Sequence, residues 1–274
     1  MPPRTALPNR KTEVGSKCRY NSRLIKGGAL LEDMRLLVRH WEDSNSDYHG
    51  DVTLVNDLLS SCSSSRARDI FFQVFLPRFV NGSPRRALKI VRELEDRNVS
   101  IEILRPVYYW ITARNERLLY DFVCDELLLR NQRQEQTVTT DSVVAWLKSR
   151  LTVCGKTWSE AVTIRVAQGI LATLRDFGIL EGAAKKRVAP VYIPIESFAY
   201  IAFAIWKEGT TGSSLVNHND WALFLFSPSV VERISLEADR HGLLRYQAAG
   251  GIVRIDFPFY NFEEMADAIA TRTY

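Results

Sequence analysis

Cysteine is scarce and scattered in this 274-residue chain: Cys18, Cys62, Cys124 and Cys154 include no C-x-x-C pair. A secreted disulfide scaffold uses more cysteines in a shorter chain. Zinc sites draw on ligands in close pairs, and no His or Cys here lies two to four residues from another. The four thiols are expected to be reduced, as in the cytoplasm, with no metal bound. Long apolar runs are missing too. The most lipid-like stretch, Ser197 to Trp206 (SFAYIAFAIW), falls far short of the ~20 residues a spanning helix needs. The N-terminal MPPRTALPNRKTEVGSKCRYNSR has basic residues but no apolar run, so it does not read as a signal peptide.

Catalytic signatures are also lacking. No G-x-x-x-x-G-K-[ST] phosphate loop occurs, and Gly209 to Ser214 lacks the lysine that would reach a phosphate. No G-x-S-x-G elbow is present. His218 and Asp220 come with no nucleophile motif and read as a polar loop pair. Glu263-Glu264 suits a helix N-terminus better than a catalytic dyad. Arginines near Cys62 could lower its pKa, but SSCSSSRAR reads more simply as a polar loop and N-cap. No enzyme, cofactor or small-molecule substrate is expected.

The chain does have apolar residues (46%) and aromatics, with Trp 6, Tyr 10 and Phe 13. That composition excludes disorder as the dominant state. Net charge is only +4, but the charge is segregated. Arg4, Arg10, Lys11, Lys17, Arg19, Arg23 and Lys26 face Glu13 alone before Gly27. Arg66, Arg68, Arg78, Arg85, Arg86, Lys89 and Arg92 face Asp69 alone between Ser60 and Arg92. Lys185, Lys186 and Arg187 form a third cluster. Any one cluster also fits a solvated helix face. Together they are the electrostatic footprint of a polyanion binder.

Periodicity predicts a mainly α protein in four parts. Residues 1–26, rich in proline and cations, read as a flexible basic arm. Residues 27–136 read as an all-helical unit. Leu30, Leu31, Met34, Leu37, Val38 and Trp41 share one helix face, and Ile70, Phe71, Val74, Phe75 and Phe79 another. Pro77 is expected to kink or end the second helix. Ser83-Pro84 reads as a helix start, which puts Arg85 and Arg86 in a first turn as an anion-binding spot. Helices over Ile101–Ala113 and Glu116–Arg130 follow, then a polar linker from Arg130 to Thr140.

Residues 137–196 carry the order of a winged helix-turn-helix. A helix over Thr140–Leu151 precedes one opened by a Thr157/Glu160 capping box and closed by Gly178. A basic hairpin and a strand VYIPI come next. Ser159, Thr163, Arg165 and Gln168 are expected on the outward face of the second helix, in the major groove. Arg165 and Gln168 have the fork geometries that read guanine and adenine edges. Lys185, Lys186 and Arg187 would contact phosphate from the wing tip. Arg66, Arg68, Arg78, Arg85, Arg86 and Lys89 would supply a basic helical surface.

Residues 197–274 repeat the pattern in part. Ser227-Pro228 starts a helix, and His241-Gly242-Leu243-Leu244 echoes Phe177-Gly178-Ile179-Leu180. A hairpin of Leu244–Gln247 and Ile252–Phe257 follows, then a helix over Phe262–Ala270 capped by Asn261 with Glu264. The near-absence of charge on this second wing suits packing or partner contact better than DNA reading.

The runs LLEDMRLLVRHW, VNDLLSSCSSSRARDIFFQVFLPRF, LLYDFVCDELL and WSEAVTIRVAQGILATLRDFGIL, with Asn56, Ser65, Arg66 and Gly178, resemble the BrxA family. That family is the small non-enzymatic component of BREX bacteriophage-exclusion systems. The resemblance spans about Arg19 to Ile195 and implies a NusB-like helical domain followed by a DNA-binding winged helix. It supplies no catalytic residues. The extension from Ser197 to Tyr274 is longer than the family leads one to expect. Double-stranded DNA is the expected partner, with other BREX components beside it. A scaffold role stays open, with Trp206, Trp221, Phe224 and Phe226 at an interface unless they are core. RNA binding through the helical part stays open too, since the face around Arg66, Arg78 and Arg85 serves either polymer.

Overall fold

A computed structural model describes residues 19–42, 48–135, 137–183 and 185–272. Arg4, Arg10, Lys11 and Lys17 of the expected arm lie outside the described residues. Arg19 to Lys26 are not an arm. Leu24 is buried in a 3-10 turn over Arg23–Ile25, and the Tyr20 hydroxyl donates to Asp121 (3.0 Å). A buried leucine and a partly buried hydrogen bond outweigh the polar composition that suggested mobility.

Helix α1 (Leu31–His40) buries Met34, Leu37 and Val38, the face read from their spacing. Helix α2 (Tyr48–Leu58), not foreseen from sequence, places Val55 in the core. Helix α3 (Ser64–Ile70) is capped by Ser63 and runs on as a π-helix over Phe71–Val80. Pro77 does not end this rod. Its missing N–H and bulky ring are carried within wider i→i+5 turns. Phe71, Phe75 and Phe79 stack along it at 5.8 and 5.7 Å between ring centroids.

Helix α4 (Ala87–Glu95) begins later than Ser83-Pro84 suggested. The Asn115 side chain holds Ser83 instead, accepting from its N–H and donating to its carbonyl, both at 2.7 Å. Helix α5 (Ile101–Asn115) leads to a continuous rod of α6 (Arg117–Asp121), a π segment over Phe122–Leu127 and α7 (Leu128–Gln132). Leu118, Leu119, Phe122, Val123 and Leu127 are buried along it as the spacing predicts.

The expected polar linker contains a strand, β1 (Thr137–Val138). Val138 is buried in the core, which composition alone concealed. Helices α8 (Thr140–Val153) and α9 (Glu160–Asp176) come next, then β2 (Leu180–Glu181) and β3 (Lys186–Val188). The antiparallel sheet has the order β1-β3-β2, with Thr137 opposite Arg187 and Leu180 opposite Val188. VYIPI forms no strand. Pro194 lacks the N–H a ladder needs and instead caps helix α10 (Ile195–Lys207).

Helix α10 is buried from Ser197 to Ile205, which explains its lipid-like composition without a membrane. Helix α11 (Gly212–Val216), a 3-10 turn over Asn219–Phe224 and helix α12 (Pro228–Arg240) follow. Strands β4 (Arg245–Ala249) and β5 (Ile252–Asp256) form a hairpin, and α13 (Phe262–Ala270) ends the described chain, capped by Asn261. Trp221 and Phe224 are core residues, while Trp206 and Phe226 are half-buried against the core.

One hydrophobic cluster runs through the described residues from Leu24 to Ile269. Asp220, itself buried, accepts from Trp110 Nε1 (2.7 Å) and the Tyr120 hydroxyl (2.9 Å). Tyr109 donates to the Leu223 carbonyl (3.0 Å) and Tyr200 to the Ile90 carbonyl (2.7 Å). Residues 195–272 therefore complete the core of the helical part. Cys62 and Cys124 are in no disulfide, but Cys154 is disulfide-bonded, correcting the expectation of four reduced cysteines. Sequence spacing does not decide pairing; proximity in the fold does. No helix among the described residues is long and apolar enough to cross a membrane.

Burial holds the His218 imidazole below its ordinary pKa, against the opposing pull of Asp220. Above the unfolded value of 6.5 both states are neutral and stability is complete. Below it the unfolded chain takes up the proton first, so stability falls until the lower folded pKa is crossed. The difference in urea-unfolding free energy between wild type and His218→Gln is expected to be flat above about pH 6.5 and to change below it. A pH-independent difference would contradict this.

Candidate nucleic-acid interface

Helix α9 starts at Ser159, whose side chain accepts from the Val162 N–H, and not at the Thr157/Glu160 box. Its end is the predicted glycine stop: Gly178 has φ +79°, Gly178 N–H donates to the Arg175 carbonyl, and Ile179 N–H to Leu174. This Schellman closure satisfies two terminal carbonyls and needs a left-handed residue that glycine supplies without strain. The same closure ends α12, with Gly242 N–H on Asp239 and Leu243 N–H on Ala238.

Arg165 and Gln168 are exposed on α9 as expected, and Ser159 is exposed while serving as its cap. Thr163 is a correction. It is buried, and its hydroxyl donates to the Ser159 carbonyl (3.0 Å). The signal was present, because Thr163, Val166, Ala167, Ile170 and Leu174 form one buried face at helical spacing. At the β2–β3 hairpin Lys185 is exposed, and Lys186 Nζ donates to the Ala183 carbonyl (2.8 Å). Arg187 lies 3.6 Å from Glu181 across the strand pair, with both side chains more than half exposed. Such a surface pair contributes little and leaves Arg187 available.

The basic helical surface divides. Arg68, Arg85, Arg86 and Lys89 are exposed. Arg85 and Arg86 precede α4 instead of lying in its first turn, with Arg86 at φ +64°. Arg66 is half-buried and donates to the Lys26 carbonyl. Arg78 is the second correction, being fully buried and unable to meet a polyanion. Its guanidinium donates to Glu116 (3.1 and 3.2 Å) and to the carbonyls of Gly27 and Gly28 (both 2.8 Å). Burial lowers its pKa, and the Glu116 carboxylate opposes that shift. Sequence gave no sign of this, since Arg78 sits in a basic cluster whose acid partner is 38 residues away.

A family model, BrxA, matches residues 18–204. The chain belongs to the BrxA family. No curated protein and no solved structure matches it. The BrxA match takes in α9, the β2–β3 hairpin and every basic residue just described, and it stops inside α10. Asp220 and Leu223, which hold Trp110, Tyr120 and Tyr109, lie beyond it.

Within the BrxA segment, residues 20–28 lie against α9. Lys156 Nζ donates to the Tyr20 carbonyl (2.7 Å), just ahead of α9. A Cβ on Gly169 would stand 2.7 Å from the Leu24 carbonyl oxygen, and one on Gly28 would stand 3.1 Å from Thr173 Oγ1. The contacts advance along both segments together, so the two run in the same direction. Sequence-based reading missed this neighbour of the helix entirely.

Gly169→Ala is expected to destabilise the chain by about 1–3 kcal/mol, because backbone must yield to the new methyl. Urea denaturation would measure it, and an unchanged midpoint would contradict the close approach. Glu116→Ala strands the Arg78 charge and is expected to cost about 3–5 kcal/mol in the same assay. A loss under about 1 kcal/mol would show that the pair is replaceable.

Proposed function

We propose that this BrxA-family protein is a non-enzymatic, DNA-binding accessory component of a BREX phage-exclusion system. In this reading it grips duplex DNA through α9 and the β2–β3 hairpin, without a cofactor. The observation that carries the proposal is connectivity. The chain runs β1–α8–α9–β2–β3, with β3 between β1 and β2 in an antiparallel sheet. That order supports reading residues 137–196 as a winged helix-turn-helix, with α9 as recognition helix and the hairpin as wing. The unpredicted strand β1 supplies the member that the sequence-based reading lacked.

Arg165 and Gln168 would face base edges from the exposed side of α9. Lys185, Lys186 and Arg187 would meet phosphates from the wing, and Arg68, Arg85, Arg86 and Lys89 would add to the field. The helices of residues 27–136 would be the NusB-like part. Residues 197–274 would be a second winged-helix-like unit, supported by the matching glycine closures of α9 and α12.

A protein-contact role for that second unit has its own support. The hairpin tip from Gln247 to Val253 is uncharged and presents Ile252 at 75% exposure. A pull-down from the native host that retains other BREX components, and loses them when Ile252→Ser is introduced, would establish it.

The test of the DNA reading is fluorescence-anisotropy binding to duplex DNA, single-stranded DNA and structured RNA across a salt series. Duplex binding with a steep salt slope is expected, each neutralised phosphate adding about −0.9 to the slope of log K on log salt. Replacing Lys185, Lys186 and Arg187 together by Ala should weaken binding to all sequences alike. It should also flatten the slope by roughly 2.7 if all three contact phosphate. No duplex binding at low salt would sink the proposal, and unchanged affinity in the triple variant would remove the wing from it.

A further inference from the structure

We infer that the segment Arg19–Lys26 forms part of the duplex-binding surface, contacting backbone phosphates beside α9 through Arg19 and Lys26. The inference rests on the DNA-binding reading above and adds a set of contacts to it.

Position is the first ground. The segment runs alongside α9, with Leu24 against Gly169 and the Tyr20 carbonyl held by Lys156. Residues four apart on a helix are neighbours on one face. Arg165 is therefore one turn before Gly169 on the flank that the segment borders. A helix seated in the major groove has sugar-phosphate backbone along its flanks, so whatever borders α9 there faces phosphate.

Charge is the second ground. Arg19 is exposed, and the Lys26 side chain is about half exposed (52%). The Arg23 guanidinium is engaged within the fold, donating to Asn21 Oδ1 (3.3 Å) and lying 3.9 Å from Glu116, and so holds the segment in place. Lys26 pairs with Asp69 at 2.9 Å, an exposed pair of the kind that adds little and can yield to a phosphate.

Continuity is the third. Arg66 donates to the Lys26 carbonyl. Arg23 donates to the Asn115 carbonyl, and Asn115 Nδ2 donates to the Ser83 carbonyl, two residues before Arg85. The segment thus joins the Arg66–Arg68 cluster and the Arg85–Arg86 loop to the flank of α9. Basic residues that are separate in sequence are thereby linked through the segment to the flank of α9.

The test uses the full chain with Arg19 and Lys26 both changed to Ala, measured on duplex DNA across the same salt series. Two lost phosphate contacts should flatten the slope by roughly 1.8, equally for unrelated sequences. The control changes two exposed cations of α12, Arg233 and Arg240, to Ala, which removes the same net charge away from α9. That control should leave the slope unchanged. Equal flattening by both variants would overturn the inference in favour of a general field. So would an unchanged slope in the Arg19/Lys26 variant when the wing variant does flatten it. Absence of duplex binding by the wild type would instead remove the underlying DNA reading. Both substituted pairs are at the surface, and matching urea midpoints would confirm that the fold is intact.

Discussion

The structure turns on one buried arginine. Arg78 lies in the π-helical stretch behind α3, where its guanidinium meets the Glu116 carboxylate and the carbonyls of Gly27 and Gly28. Four hydrogen bonds to one buried cation satisfy groups that would otherwise be stranded without water. They also fix three distant pieces of chain on one point: residues 27–28, the aromatic rod, and the turn between α5 and α6. Because residues 20–28 lie on α9, the same cation sets where α9 sits relative to the helical part. A basic residue that looked like a ligand for phosphate instead places the segment proposed to meet it.

Asp220 plays the corresponding part for the C-terminal residues. It accepts from Trp110 and Tyr120 and lies 3.4 Å from Arg114, so α5 and the rod after it close on a residue outside the family match. Helix α10 is apolar on every side because it is enclosed by α5, α12 and α13. The extension is thus integral to the core. Its own hairpin tip is uncharged and presents an exposed Ile252, unlike the basic β2–β3 hairpin.

Charge in this protein sits in two settings that composition does not distinguish. Arg78, Arg35 and Arg39 hold the buried carboxylates Glu116 and Glu95, with Tyr108 completing the second site. Removing one partner from such a site is costly, because the other is left charged and dry. Arg68, Arg85, Arg86, Lys89, Arg165 and Lys185 stand in solvent, where they are the cations of the proposed DNA-binding surface. The segregation of positive charge along the chain grouped Arg78 with these exposed cations, and its burial corrects that.

Most helices were legible because burial on one face imposes a 3.6-residue period that sequence displays directly. Met34, Leu37 and Val38, the Phe71–Phe79 stripe, and Leu118 to Leu127 all lie as that period requires. The glycine stops at Gly178 and Gly242 were equally readable, since they depend on backbone sterics at one residue. By itself, then, the sequence determined the helical class, the succession of α8, α9 and a basic hairpin, and the exposure of Arg165 and Gln168. Only the tertiary structure decided the rest. Strand β1 is two residues long and exists by pairing with β3 across about fifty residues of chain. Arg78 went inward because Glu116 and two carbonyls were waiting there, and residues 20–28 joined α9 because Gly169 leaves room for them. Local patterns report what a residue does to its own helix; partners far along the chain appear only once the chain has folded.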